Sequence, residues 1–188
     1  MATTISGSGI TTGSLDTSAE AISPAELGNG AIIQVVQTVV TAASDVNSGA
    51  IAGATDYTLM SRTITPTTNS NKILIMATFY LEFSDVNYDG LYGKLMRDST
   101  QICLGDAAGS RNRASFVFPN SNVGNRQVET TLNYLDSPST TSEITYTIRI
   151  RDTSGAGPTV YFNRTGSDAD NSGQYRTAST LICMEVGA

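Results

Sequence analysis

The chain has 188 residues, enough for one well-buried domain but short of what two complete cores need. Charged residues make up only 15% of it, the formal net charge is −6 and Lys plus Arg number 11, so it lacks the basic stripe that grips a phosphate backbone and no nucleic-acid partner is expected. It contains no histidine, which removes the usual Ser-His and Cys-His nucleophile pairs.

Residues 1–30 are small, polar and rich in Gly, Ser and Thr, without any strand-period apolar pattern, so they cannot bury enough surface to fold alone. They read as an N-terminal arm whose apolar contacts with a partner are Ile5, Ile10, Leu15, Ile22 and Leu27. Within the arm, Ser23-Pro24-Ala25-Glu26-Leu27-Gly28 has the cap, proline, glutamate and terminating glycine of one helical turn. The opening residues have neither a basic n-region nor an apolar h-region, so no secretory signal is expected. No apolar run approaches the length of a membrane span, and no membrane insertion is expected.

The body, residues 31–188, begins with the β-branched run Ala31 to Val40, which predicts a strand followed by a Gly/Ala/Asp/Asn loop. A weaker strand is expected near Tyr57 to Ile64. A long one follows from Lys72 to Ser84, with Ile73, Ile75, Ala77, Phe79, Leu81 and Phe83 on one face. Its other face, with Leu74, Met76 and Tyr80, is also partly apolar, as expected at a sheet-sheet core or a subunit interface. Further strands are expected at Leu91 to Arg97, Gln101 to Gly105, Ala114 to Phe118, Gln127 to Leu135, Glu143 to Arg151, Thr159 to Arg164 and Ala178 to Val186. The clearest is Glu143 to Arg151, where Ile144, Tyr146, Ile148 and Ile150 alternate with polar residues. The loop Leu135 to Thr140 is too long for a two-residue hairpin and suits a crossing between sheets. The pattern is all-β: a sandwich or closed barrel of about eight to ten short strands.

Cys103 and Cys183 each sit in an apolar strand run, where a thiol behaves as a small hydrophobe. Free thiols are the simpler reading, and a disulfide would require their strands to be neighbours. The aspartates are scattered in loops, where Asx turns are the ordinary role, so no enzymatic activity is expected. The sharpest metal-like signal is Asp168-Ala169-Asp170-Asn171-Ser172-Gly173. It places oxygen ligands at alternate positions, Asp168, Asp170 and Ser172, as in the first half of a calcium loop, but has Ser179 where the twelfth-position glutamate belongs. The alternative is a polar turn held by its own Asx bonds, with no cofactor. Asn163-Arg164-Thr165 matches the glycosylation pattern but lacks a secretory route. The arginines, Arg97, Arg111, Arg113, Arg149, Arg151, Arg164 and Arg176, lie among acidic neighbours and serve either local ion pairs or bidentate pairs between subunits.

Several segments carry a resemblance. They are Lys94-Leu95-Met96-Arg97-Asp98-Ser99-Thr100, Leu104-Gly105-Asp106 to Ser110-Arg111, Tyr134 to Ser142, Phe162-Asn163-Arg164-Thr165, and Tyr175 to Thr180 with Met184-Glu185. Over the body from about Ala31 to Val186 the chain resembles virion proteins of marine tailed phages, with the jelly-roll heads of cyanophage structural and fibre proteins. That resemblance implies a homotrimeric, tumour-necrosis-factor-like jelly roll, made in the host cytoplasm and carried on the virion. The function expected from it is a surface decoration or spike whose arm anchors to major capsid or tail proteins. The alternative is a short tail-fibre or receptor-binding tip that uses loop residues Tyr88, Asp89, Asn122 and Tyr175 to engage host surface glycan.

Overall fold

The computed structural model describes residues 29–46, 55–84, 90–118, 126–153 and 158–188. The arm residues Ile5, Ile10, Leu15, Ile22 and Leu27, the helical turn expected at Ser23 to Gly28, and the loop residues Tyr88, Asp89 and Asn122 lie outside the described residues. Every regular element among the described residues is a strand: β1 (Ile32–Val40), β2 (Ser44–Val46), β3 (Asp56–Ile64), β4 (Lys72–Phe83), β5 (Leu91–Arg97), β6 (Thr100–Ile102), β7 (Phe116–Val117), β8 (Val128–Asp136), β9 (Ile144–Asp152), β10 (Val160–Phe162) and β11 (Ser179–Val186). All pairings are antiparallel, and they divide the strands into two sheets.

These ranges reduce to fewer columns, because some strands are one column interrupted by a loop. β10 and β11 both pair with β4, at Leu81 to Phe83 and at Lys72 to Thr78 respectively, so they run end to end. β1 and β2 lie beyond them, against β11 and β10. β6 and β7 share one edge of β5 in the same way. Four columns then form each sheet: β1/β2, β10/β11, β4 and β8 in one, and β3, β9, β5 and β6/β7 in the other. Counted along the chain, the orders are 1-8-3-6 and 2-7-4-5. That is the strand order of a jelly roll, two Greek keys folded face to face. The connection from Asp136 to Ile144 crosses between the sheets, as the loop composition predicted.

The core lies between the sheets. β4 contributes Ile73, Ile75, Ala77, Phe79 and Leu81, β9 contributes Ile144, Tyr146, Ile148 and Ile150, and β11 contributes Leu181 and Cys183, all buried at alternate positions. A bulge between Thr58 and Met60 lets β3 bury two successive residues, Leu59 and Met60. Phe116 packs edge-on against Phe79 and Phe118 and fills the space over Gly93, where any Cβ would collide with its ring. Cys183 is buried and Cys103 half-buried; both are free thiols, and burial pushes the Cys183 thiol up to about 12.

Two polar networks lie at the same end of the sandwich, since Asp136 and Glu185 both pair with Ile73 of β4. Tyr146 donates to the Asp136 carboxylate at 2.7 Å and Arg97 donates to both its oxygens at 3.1 Å, linking β8 to β9 and β5 in the opposite sheet. Burial and that bond to Asp136 push the Tyr146 hydroxyl well above its usual value. In the second network Glu185, fully buried, accepts from Gln34 Nε2, the Thr67 backbone N–H, the Thr67 hydroxyl and Asn71 Nδ2 at 2.6–2.8 Å. Burial alone would raise this carboxyl, but the donors from Asn71, Gln34 and Thr67 together bring it below the usual range.

Three expectations need correction. The strand expected at Gln101 to Gly105 stops at Ile102, because Cys103 turns into the left-handed region at φ 55°. The strand expected at Ala114 to Phe118 keeps only Phe116 and Val117, which pair with Tyr92 and Gly93 alone. The loop expected after β1 contains β2, whose three residues carry no apolar alternation and pair only with the short β10.

Candidate assembly surface

One face of each sheet is consumed by the core, so what the other face carries is free for function. On the sheet containing β1, the register sets Val35 opposite Met184, Met184 opposite Leu74, and Leu74 opposite Leu135, giving one apolar row across all four columns. The neighbouring row is Gln37, Ile182, Met76 and Asn133. Neither row contains a charge. Val35 is 55% exposed, Leu135 46% and Met76 38%, and Val39 and Ile32 extend the patch along β1. Scattered exposed hydrophobics need no explanation, but a contiguous set aligned by strand register does. The sequence pattern marked Leu74, Met76 and Tyr80 as a second apolar face of β4, and the described residues leave that face uncovered.

The opposite sheet presents a different face. Asp56 receives Lys94 Nζ at 2.8 and 3.1 Å and Arg151 at 3.1 Å, with Arg149 at 3.9 Å. Cross-strand pairing explains the cluster, since Arg151 faces both Asp56 and Tyr92 and Arg149 faces Lys94. The arginines bond within the chain: Arg97 with Asp136, Arg164 with Asp45, Arg176 with Asp168, while Arg111 and Arg113 donate to the backbone carbonyls of Ala108 and Gly105. Arg164 also lies over the Tyr161 ring at 4.6 Å, and its bond to Asp45 draws that carboxyl below its usual value.

The expected metal residues fall on the loop between β10 and β11. From Phe162 opposite Leu81 to Thr180 opposite Thr78 the chain advances 18 residues while β4 advances three, so 15 residues leave the sheet. Asp168 is held by Arg176 Nε and NH2, Asp170 and Ser172 are exposed, and Ser179 is buried at the start of β11, donating to Asn163 Oδ1. Among the described residues no three His, Cys, Asp or Glu side chains gather as metal ligands would. The carboxylate that the calcium reading places first is engaged by a guanidinium. Asn163 is fully buried and donates to the Val40 and Ala42 carbonyls, so its amide is unavailable to a glycan. Tyr175 is 58% exposed beside Asp168 and Asp170.

No family model matches the chain, and no curated protein matches it. Among solved structures it is similar to that of infectious bursal disease virus, Gx strain, and to the VP2 subviral particle of infectious bursal disease virus. Each is 15% identical with a TM-score of 0.35 over 84% of this chain, which spans 37% and 38% of theirs. At that identity and score the likeness says nothing about activity, and the jelly roll rests on the strand order of this chain. No helix among the described residues is long and apolar enough to cross a membrane.

Sequence reading could not assemble the apolar rows. Val35, Ile182 and Met184 lie far from Leu74 and Leu135 in the chain, and only strand order makes them neighbours. A signal was present in the apolar residues on both faces of Lys72 to Ser84.

Proposed function

We propose that the protein is a non-enzymatic structural component of a tailed-phage virion, a homotrimeric surface decoration whose N-terminal arm anchors to major capsid or tail proteins. The observation that carries this reading is the uncharged face formed by Val35, Met184, Leu74, Leu135, Ile182 and Met76. Burying such a face is worth about 25 cal/mol per Å² of apolar surface, and in a ring of three the face of each copy is covered by its neighbours around the axis. The number three comes from the resemblance to phage heads; the face supplies the surface on which copies meet. The absence of histidine from the chain and the engagement of Asp56, Asp136, Asp168 and Glu185 in ion pairs and hydrogen bonds support a role without catalysis.

An arm on each of three chains makes attachment multivalent, so weak apolar contacts at Ile5, Ile10, Leu15, Ile22 and Leu27 add through avidity. Sedimentation velocity on the purified chain is expected to give a single species of three copies. Removal of residues 1–30 is expected to leave that species intact but unable to bind particles stripped of the protein. A stable monomer would overturn the assembly, and retained particle binding would overturn the anchor.

A further inference from the structure

The loop that interrupts the β10/β11 column is built rigidly, and much of that rigidity is spent on a small open cavity. Its base is fixed by buried groups. Asn163 sits at φ 57° with its amide bonded to β1 and to Ser179, and Thr165, fully buried, donates its one hydroxyl proton to Gln174 Oε1 at 2.6 Å, with Ser167 O 3.0 Å away. Gly166 lies directly over Glu82, whose carboxylate accepts its N–H at 2.9 Å, and over Tyr161, leaving no room for a Cβ. The Thr165 N–H donates to Tyr175 O and Gln127 Nε2 donates to the same carbonyl, so the segment carrying Tyr175 is tied to the base and to β8's approach.

Above this base opens a polar cavity of about 260 Å³, lined by Asp168, Asp170, Asn171, Gln174, Tyr175 and Arg176. The hydrogen bonds sort the lining into committed and free atoms. Gln174 Oε1 is occupied by Thr165 and Asn171 Oδ1 by the Gly173 N–H at 2.9 Å, which orients both amide NH2 groups as free donors. Asp168 is committed to Arg176, leaving Asp170 as the free carboxylate acceptor. Tyr175 adds an aromatic face that is 58% exposed, although a ring of this size is ordinarily packed away. A cleft with a flat apolar platform and closely spaced donors and acceptors matches one ligand chemistry well: a pyranose, with its C–H face and its ring of vicinal hydroxyls.

We infer that the cavity formed by Asp170, Asn171, Gln174 and Tyr175 on the β10–β11 loop is a binding site for a neutral hexopyranose, independent of any metal. The sugar's C–H face stacks on Tyr175. Two adjacent hydroxyls donate to Asp170, and the amide nitrogens of Asn171 and Gln174 donate to neighbouring sugar oxygens. This goes beyond a decorating role, since it gives the particle surface a saccharide contact.

The test uses the full-length chain and methyl glycosides of glucose, galactose, mannose, N-acetylglucosamine and N-acetylgalactosamine, followed by saturation-transfer NMR and calorimetry. Saturable binding of at least one glycoside is expected, with transfer concentrated on the protons of one ring face. Tyr175→Ala should weaken it at least about tenfold, Tyr175→Phe should hold it within about twofold, and Asp170→Asn should weaken it about tenfold. Both positions are exposed, and unchanged melting temperatures certify that the variants fold. Binding to none of the glycosides, or binding unmoved by Tyr175→Ala and Asp170→Asn, would overturn the site. Loss of binding on chelation with EDTA would overturn its metal-free form. Sedimentation of the same samples keeps the two readings apart: a monomer that binds sugar defeats the assembly proposal and leaves this one standing.

Discussion

The outer face of the β1 sheet lines up Val35, Met184, Leu74 and Leu135 without a charge, whereas the outer face of the β3 sheet lines up Arg149 with Lys94 and Arg151 with Asp56. Both faces obey the same alternation, since each is what remains after the other half of the strand has entered the core. They differ in what leaving water would cost. Desolvating Asp56 and the three cations around it is expensive, so that face is stable facing solvent. Desolvating methyl and thioether groups is favourable, so the other face gains from a partner. A two-sheet fold thereby acquires a wet side and a side suited to the proposed assembly.

The largest expected effect lies on the apolar face. Leu74→Asp and Met76→Glu should each put an uncompensated charge into the proposed contact and cost about 3–5 kcal/mol of association. Sedimentation should then find monomers whose far-ultraviolet circular dichroism is still that of strands. A trimer that survives both substitutions would place the contact elsewhere. On the wet face, Asp56→Ala strips the carboxylate from Lys94, whose side chain is only 9% exposed. We expect a loss of about 2–3 kcal/mol in urea unfolding, with the number of copies unchanged. A change in copy number would erase the division between the faces.

Glu185 reaches neither face, and its replacement should separate core stability from assembly. Glu185→Gln leaves donors from Gln34, Thr67 and Asn71 short of acceptors and is expected to cost about 1–2 kcal/mol. Because the folded carboxyl lies below its unfolded value, its contribution is present above the unfolded value and is lost as pH falls through the folded one. Stability measured against falling pH should therefore drop more steeply for the wild type than for the glutamine variant; parallel curves would refute the assignment. The smallest effect belongs to Arg176→Ala, which removes an exposed pair with Asp168 and should shift stability by about 0.2–1 kcal/mol without changing assembly.

Much of this molecule was legible in its sequence. The alternation of Ile144, Tyr146, Ile148 and Ile150 predicted β9 with its buried face, and the apolar residues on both sides of Lys72 to Ser84 marked β4 as a long strand with two apolar faces. Local chemistry also placed the crossing after Leu135. Ser44–Val46 escaped notice because a three-residue strand without apolar alternation exists only through its pairing with β10. In the β10–β11 loop, the spacing of Asp168, Asp170 and Ser172 suggested calcium ligands. Its hydrogen bonds instead commit Asp168 to Arg176 and free the amides of Asn171 and Gln174.

The amino-acid order by itself determined which residues face inward, because a strand's period of two is a local property of the backbone. Which strands lie side by side was decided only in the folded chain, since pairing joins Val35 to Met184 and Leu74 to Leu135 across long stretches of sequence. The apolar face is a product of that long-range pairing and exists in no single segment, whereas the loop cavity is lined by one segment, Asp168 to Arg176, that the pairing of β10 and β11 with β4 holds out from the sheet.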